Sequence, residues 1–233
     1  METGLITVGD ELLAGDTVNT NAAWLAEQLF ERGVSVRRIS TVPDEEAAIA
    51  SVLDRYRQAY DAVVVTGGLG PTHDDLTMAA VARALDRELA VDESAVAWLA
   101  GERGYERADL AAGTAEMPVG AEPLHNTVGV APGCIVDGVY VFPGVPSEMQ
   151  AMFGAVADRF DGPTQHVVVV ETTEAESALV DRFEAVQAAY DIKLGSYPGE
   201  TVSIRIEGEQ DTVERAAGWL RERVELAAGS ITE

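Results

Sequence analysis

The sequence predicts an α/β chain in which a mostly parallel sheet is followed by a small α+β unit. Three observations carry this expectation. Across residues 1–85 short β-branched runs alternate with amphipathic helical segments, the order of right-handed βαβ units. The run AVVVT at 62–66 stays apolar until its end, as a strand covered on both faces requires. At Asp161-Gly162-Pro163 the alternation stops, and a strand, helix, strand, strand, helix series follows. Domains of 1–162 and 163–233 are therefore expected.

The elements follow in order. Leu5–Val8 is a short apolar strand, and GDELLAGDTVNTN after it is a polar connection. Asn19 or Thr20 can cap a helix over 21–32, in which Ala22, Leu25, Ala26, Leu29 and Phe30 share a face, and Gly33 closes it. A strand over 34–42 precedes Pro43-Asp44-Glu45-Glu46, with proline, cap and acidic first turn in helix-starting order. Ile49, Val52, Leu53 and Tyr56 form that helix's apolar stripe. A strand over 61–66 and a third helix from Leu76 to Ala84 complete the alternation. Residues 91–110 read as an acidic helix with Trp98, Leu99 and Leu110 toward the core. Asp137-Gly138 between two short apolar runs is a two-residue hairpin signal, and PGVPSEM starts a helix running to about Phe160. Beyond the boundary the pattern predicts strands 166–172, 193–197 and 202–207, with helices 174–190 and 212–226.

Composition narrows the function classes. The formal charge is −24, from 40 acidic and 16 basic residues, with Lys193 the only lysine. Such a surface repels polyanions, so nucleic-acid binding is not expected. The acids are spread along amphipathic segments rather than blocked in a tail, which suits a protein adapted to high salt, where like charges are screened. No apolar run approaches the roughly 18 residues of a membrane span, and no basic leader precedes the first strand. A cytoplasmic protein without membrane association is expected. Cys134 is the single cysteine, and no basic neighbour in the sequence activates it, so a packed thiol is expected.

The chemistry concentrates in VVVTGGLGPTHDDLT at 63–77. Glycine N–H groups after a strand can close around a phosphate, the hydroxyls of Thr72 and Thr77 can assist, and Asp74 and Asp75 can hold a hard divalent cation beside it. The loop lacks the Gly-Lys-Ser/Thr of a Walker A motif, and it does not open on the first strand as a dinucleotide fingerprint does. Glycines at a sharp turn and acids on a helix dipole are the bland alternative. His73 could donate to a phosphate oxygen, or be a surface residue.

At this point the sequence resembles a known family. TGGLGPTHDDLT, GDELLAGDTVNTN, HNTVGVAPG and VFPGVPSEM are similar to motifs of the N-terminal domain of CinA-type proteins, itself similar to the molybdopterin-binding domain of the MoaB/MogA enzymes. TTEAESALVDRF and LGSYPGETVSIRI resemble the small domain that follows in CinA-type proteins.

The resemblance implies a three-layer αβα molybdopterin-binding-type domain, a homo-oligomer, and a nucleotide or pterin site at the glycine loop. For CinA-type domains it implies metal-dependent cleavage of ADP-ribose-like or dinucleotide diphosphates, with Mg²⁺, Mn²⁺ or Co²⁺. For MogA-type domains it implies adenylylation of molybdopterin. A binding module without turnover is the third alternative. The chain ends at Glu233 without the nicotinamide-nucleotide amidase domain of full-length CinA, so deamidation is not expected.

Carried over residue by residue, Gly67, Gly68 and Gly70 fall on the family's glycine loop and Asp75 on its acid. Asp44 falls on a second acid after the second strand. Asp74 stands where the molybdopterin enzymes have a basic residue, which favours the CinA-like branch. Asp44, Asp74 and Asp75 are thus the expected catalytic and metal-binding set, their repulsion offset by the cation. Gly9, Asp10 and Glu11 follow the first strand at the same sheet end. Glu11 either approaches the metal or a ribose, or is solvated. Asn19 and Asn21 contact ligand or cap a helix, and Ser147 and Glu148 receive phosphate or cap the PGVPSEM helix.

Overall fold

The computed structural model describes residues 1–105, 113–163 and 166–227. Leu110 and the end of the expected 91–110 helix lie outside the described residues. Cα packing divides the chain into Met1–Gly162 and Pro163–Glu233.

The first unit is built on a six-stranded sheet. Its strands are β1 (Glu2–Val8), β2 (Ser35–Val42), β3 (Ala62–Thr66), β6 (Glu122–Leu124), β7 (Gly133–Val136) and β8 (Val139–Phe142). They lie in the order β2-β1-β3-β8-β7-β6. The first four in that order are parallel, with Thr3–Thr7 in register with Ala62–Thr66; β7 runs antiparallel to β8, and β6 antiparallel to β7. Val8, Val42, Thr66 and Phe142 therefore end together, and the connections after them meet at one end of the sheet.

Alternation along the strands makes two cores. Ile6, Val8, Val63, Val65, Val139 and Val141 face α3 (Glu46–Ala59) and α4 (Thr77–Ala84), meeting Ile49, Leu53, Tyr56, Ala80 and Val81. Leu5, Val64, Tyr140 and Phe142 face α2 (Thr20–Glu31) and α6 (Pro146–Val156), meeting Leu25, Leu29, Met149, Met152 and Phe153. Helices cover both faces, giving the three-layer αβα arrangement. Between α4 and β6 the chain forms β4 (Leu89–Val91), α5 (Glu93–Arg103) and β5 (Glu116–Pro118), β4 and β5 pairing antiparallel. Cys134 is fully buried, and burial pushes its thiol up to about 12.

Three local expectations are corrected. The polar connection after β1 contains a one-turn helix, α1 (Asp10–Ala14), stopped by Gly15 at φ 78°. Asp44 does not cap α3: the cap position is Glu45, with no side-chain hydrogen bond, and the Asp44 carboxylate turns to α1 instead. Trp98 is half-buried and stacks on His125 at 4.6 Å rather than joining the core. The hairpin at Asp137-Gly138 forms with both residues at positive φ, 47° and 78°, as its turn type requires.

The second unit is a three-stranded antiparallel sheet of β9 (His166–Thr172), β10 (Lys193–Pro198) and β11 (Val202–Gly208) in the order β10-β11-β9. Helices α7 (Val180–Ala189) and α8 (Gln210–Arg221) pack on it through Leu179, Val186, Val213, Ala217 and Leu220. The helix expected from Glu174 starts at Val180 instead, because the Glu174 carboxylate is drawn away to Arg182 and the Glu225 N–H. The last helix stops at Arg221, and Leu226 bridges to Thr172. Among the described residues no helix is long and apolar enough to cross a membrane.

Candidate functional site at the carboxyl end of the parallel strands

The glycine loop emerges from β3, the central parallel strand. Gly67 has φ 105°, and a Cβ there would stand 2.3 Å from the Val8 carbonyl oxygen; Gly68 has φ 65°, and a Cβ would meet the Thr77 hydroxyl at 2.4 Å. Only glycine lets the loop lie this close to β1. Thr77 is fully buried, and its hydroxyl donates to the Gly67 carbonyl at 2.8 Å. Its role here is to shape the loop, away from solvent.

Asp75 closes the loop from the other side. Its Oδ1 accepts the Gly70 N–H at 2.7 Å and its Oδ2 the Thr72 N–H at 2.9 Å. The Thr72 hydroxyl lies 2.5 Å from both Asp75 and Asp74. That contact holds the exposed Asp74 carboxyl below its ordinary value. Gly70 and Thr72 thus direct their N–H groups inward, whereas those of Gly68, Leu69 and Gly144 make no hydrogen bond among the described residues. The His73 side chain is fully exposed, 3.9 Å from Asp74.

The neighbouring connections bring further groups. Asp44 Oδ2 accepts the Asp10 N–H at 2.8 Å, tying the turn after β2 to α1. Burial pushes the Asp44 carboxyl up; the Asp10 N–H opposes this, and the charges of Asp10, Glu11 and Asp74 add to the rise. Glu11 folds back over Gly9, where a Cβ would lie 2.6 Å from its carboxylate. Asn19 caps α2 by accepting the Ala22 N–H at 3.1 Å and donates to Thr7. Asn21 donates to the Gly144 carbonyl at 2.7 Å, while its Oδ1 is buried without a partner. Glycine loop, α1, the turn after β2 and the start of α6 therefore lie together, as expected for a composite site.

Two cavities open here. The smaller, about 90 Å³, lies between β1, α1 and the start of α2, lined by Glu11, Thr17 and Asn21 among others. The larger, about 470 Å³, lies between the glycine loop, residues 129–131 and the start of α6. Glu148 and Asp75 line the larger cavity, while Ser147 is exposed at the helix start beside it.

Asn126, which sequence reasoning missed, is the organiser of that second wall. It is fully buried, its Oδ1 accepts the N–H groups of Val128 and Gly129, and its Nδ2 donates to Ala131 O at 3.0 Å and Glu148 Oε2 at 2.6 Å. Its place between two recognised motif residues was the available signal.

A divalent cation was expected on Asp44, Asp74 and Asp75. Among the described residues no three His, Cys, Asp or Glu side chains come together as a metal-holding group. Both Asp75 oxygens already accept N–H groups. The donor set fits an ion that brings ligands of its own better than an all-protein cage.

Comparison with known proteins places this architecture. Residues 4–161 match the family described as "Probable molybdopterin binding domain". A protein of Archaeoglobus fulgidus is 40% identical over 199 residues, 85% of this chain and 86% of that one. One of Pyrococcus furiosus is 38% identical over 243 residues, covering 94% and 95%. The crystal structure of CinA from Thermoplasma acidophilum superposes with a TM-score of 0.63 at 39% identity, over 68% of this chain and 97% of that chain. The chain belongs to the probable molybdopterin binding domain family, in its CinA-like form.

Proposed function

We propose that the chain binds a nucleotide or pterin through its diphosphate and cleaves that diphosphate hydrolytically, in the manner of a pyrophosphatase acting on ADP-ribose-like or dinucleotide substrates. The observation that carries this reading is a cavity of about 470 Å³ lined by Gly68, Leu69 and Gly144, whose backbone N–H groups make no hydrogen bond among the described residues, with Asp44 and Asp74 on the neighbouring connections and no Lys or Arg paired with them among those residues.

The N–H groups suit phosphoryl oxygens, and stabilise charge that develops on them during cleavage. Asp44 and Asp74 suit a hydrated Mg²⁺, Mn²⁺ or Co²⁺ carried in by the diphosphate, the way such ions are held by one or two carboxylates plus substrate phosphates. The ion, when bound, supplies charge neutralisation. Asp75 keeps the loop closed, and the α6 start orients the rest of the ligand.

The test is incubation with ADP-ribose, FAD and related dinucleotides plus each metal in high KCl, following release of the mononucleotide. Asp74→Asn and Asp44→Asn are each expected to lower the rate by 100-fold or more, about the loss of one transition-state charge contact. No release from any of these substrates, or equal release by Asp74→Asn and Asp44→Asn, overturns the proposal.

The family match favours one second reading, adenylyl transfer to molybdopterin. Asp74 in place of a basic residue speaks against it, since the positive charge that would meet the triphosphate of ATP is missing there. ATP-dependent formation of adenylylated molybdopterin would select it. Ligand binding without turnover would select a binding module.

A further inference from the structure

The motif HNTVGVAPG supplies the wall of the larger cavity across from the glycine loop, through Gly129, Val130 and Ala131. Arg103, in the last turn of α5, does not line the cavity but grips this loop. Its Nη1 donates to the Thr127 carbonyl at 2.8 Å, and its Nη2 to those of Val128 and Gly129 at 3.2 and 3.0 Å. Three consecutive carbonyls therefore point at one guanidinium.

The direction of the carbonyls fixes that of the N–H groups. A trans peptide carries its N–H opposite its C=O. The N–H groups of Val128, Gly129 and Val130 thus turn together away from Arg103, and a run of N–H groups turned to one side makes an anion-binding concavity. Asn126 Oδ1 fills part of it, accepting Val128 at 3.1 Å and Gly129 at 2.6 Å. The Val130 N–H, third of the run, makes no hydrogen bond among the described residues and stands at the cavity wall. The two acids lining the cavity are tied to N–H donors already, Asp75 to Gly70 and Thr72, and Glu148 Oε2 to the Asn126 amide. Those bonds lessen their repulsion of an anion beside Val130.

We propose that the Val130 N–H is a further contact for a phosphoryl oxygen of the diphosphate, made from the wall across from Gly68 and Leu69, and that Arg103 is the positioning residue that aims it. Arg103 does not touch the ligand in this arrangement. Its guanidinium acts through the peptide plane, holding the Gly129 carbonyl back and polarising the unit, which makes the Val130 N–H a stronger donor. The diphosphate is then clamped from both walls. The clamp makes no demand on the groups at either end of the diphosphate, so ADP-ribose and FAD both satisfy it. The inference rests on the diphosphate reading above and deepens it by naming the second wall's contact.

Backbone amide NMR of the full chain, titrated with inorganic pyrophosphate and Mg²⁺ in high KCl, tests it alongside kcat and KM for ADP-ribose. The Val130 N–H signal is expected to shift downfield together with those of Gly68 and Leu69. Arg103→Ala is expected to abolish the Val130 shift and leave the glycine-loop shifts in place. It should raise KM about 10-fold, as for one lost hydrogen bond to a charged group, with kcat unchanged. A merely structural role would not divide the two walls in this way. Arg103→Lys keeps the charge but not the fork, and is expected to restore the Val130 shift only in part. A wild-type Val130 signal that stays still while Gly68 and Leu69 move, or one that moves equally in Arg103→Ala and Arg103→Lys, overturns the inference and leaves the diphosphate reading standing. Shifts on both walls, without release of the mononucleotide from ADP-ribose, uphold the inference and overturn the hydrolytic reading. No shift on either wall overturns both.

Discussion

The acids of the small unit and those at the carboxyl end of the parallel strands are managed in opposite ways. In the small unit each engaged carboxylate has a structural partner. Glu174 receives both Arg182 Nη atoms, at 2.8 and 2.6 Å, and the Glu225 N–H at 2.7 Å. The Arg182 guanidinium draws the Glu174 carboxyl down to about 2. Burial alone would raise Glu207, but Arg205 and Lys193 outweigh it and hold it low. Glu171 is held low by the hydroxyls of Ser203 and Thr201.

At the carboxyl end of the parallel strands, Asp10, Glu11, Asp44 and Asp74 crowd together, and no Lys or Arg among the described residues pairs with them. Asp44 is pushed up, not down. One region uses its acids to hold the fold together; the other keeps repulsion that a ligand or cation can relieve, the pattern of a functional site.

The largest expected effect contrasts two glycines. Gly67→Ala forces a Cβ into the Val8 carbonyl at a positive φ, and is expected to cost about 3 kcal/mol or more in urea unfolding, from strain plus overlap. Gly218→Ala, inside α8 with open space around its Cβ position, is expected to stabilise by about 1 kcal/mol.

Next comes the sign of the pH dependence. Glu174 has its folded pKa depressed to about 2 from 4.5; its stabilisation is present above 4.5 and is lost as pH falls through about 2. Glu174→Gln should therefore lower Tm at pH 7, with a difference that shrinks toward pH 2. Asp44 is raised above its ordinary 3.8, so its ionised form costs stability at neutral pH and protonation removes that cost. Asp44→Asn, which keeps an acceptor for the Asp10 N–H, should raise Tm at pH 7 and converge with the wild type in acid. A lower Tm in Asp44→Asn at neutral pH would erase the contrast between the two regions.

The smallest effect is in salt. With a net charge of −24, Tm should rise between low and molar KCl as repulsion is screened. The rise should be a little smaller in Asp44→Asn. A Tm that is flat with salt would remove the salt-adapted reading of the acidic surface.

Much of this was legible because it is written in local patterns. The β-branched runs and their amphipathic partners marked the parallel strands and the helices on either face, since burial imposes a period on each. Asp137-Gly138 marked the hairpin, because few residues accept its positive φ values. The three glycines marked the loop. The helix boundaries after Thr172 and at Asp44 were missed for one shared reason: Glu174 and Asp44 follow helix-start rules locally, but distant donors, Arg182 with the Glu225 N–H and the Asp10 N–H, take their carboxylates instead. Local propensity loses when a long-range hydrogen bond is available.

The sequence by itself determined that three parallel strands end together beside a glycine loop and a surplus of acids, because period and residue type alone set which end of a βαβ sheet carries the connections; that the hairpin strand β8 joins them as a fourth came from the structure. Only the tertiary structure decided how those acids divide. Asp75 turns inward to the Gly70 and Thr72 N–H groups, Thr77 is buried beneath Gly67, and Asn126 holds Glu148 across the cavity. These assignments depend on which donor lies within three ångströms of which carboxylate, a fact of packing between segments that are dozens of residues apart.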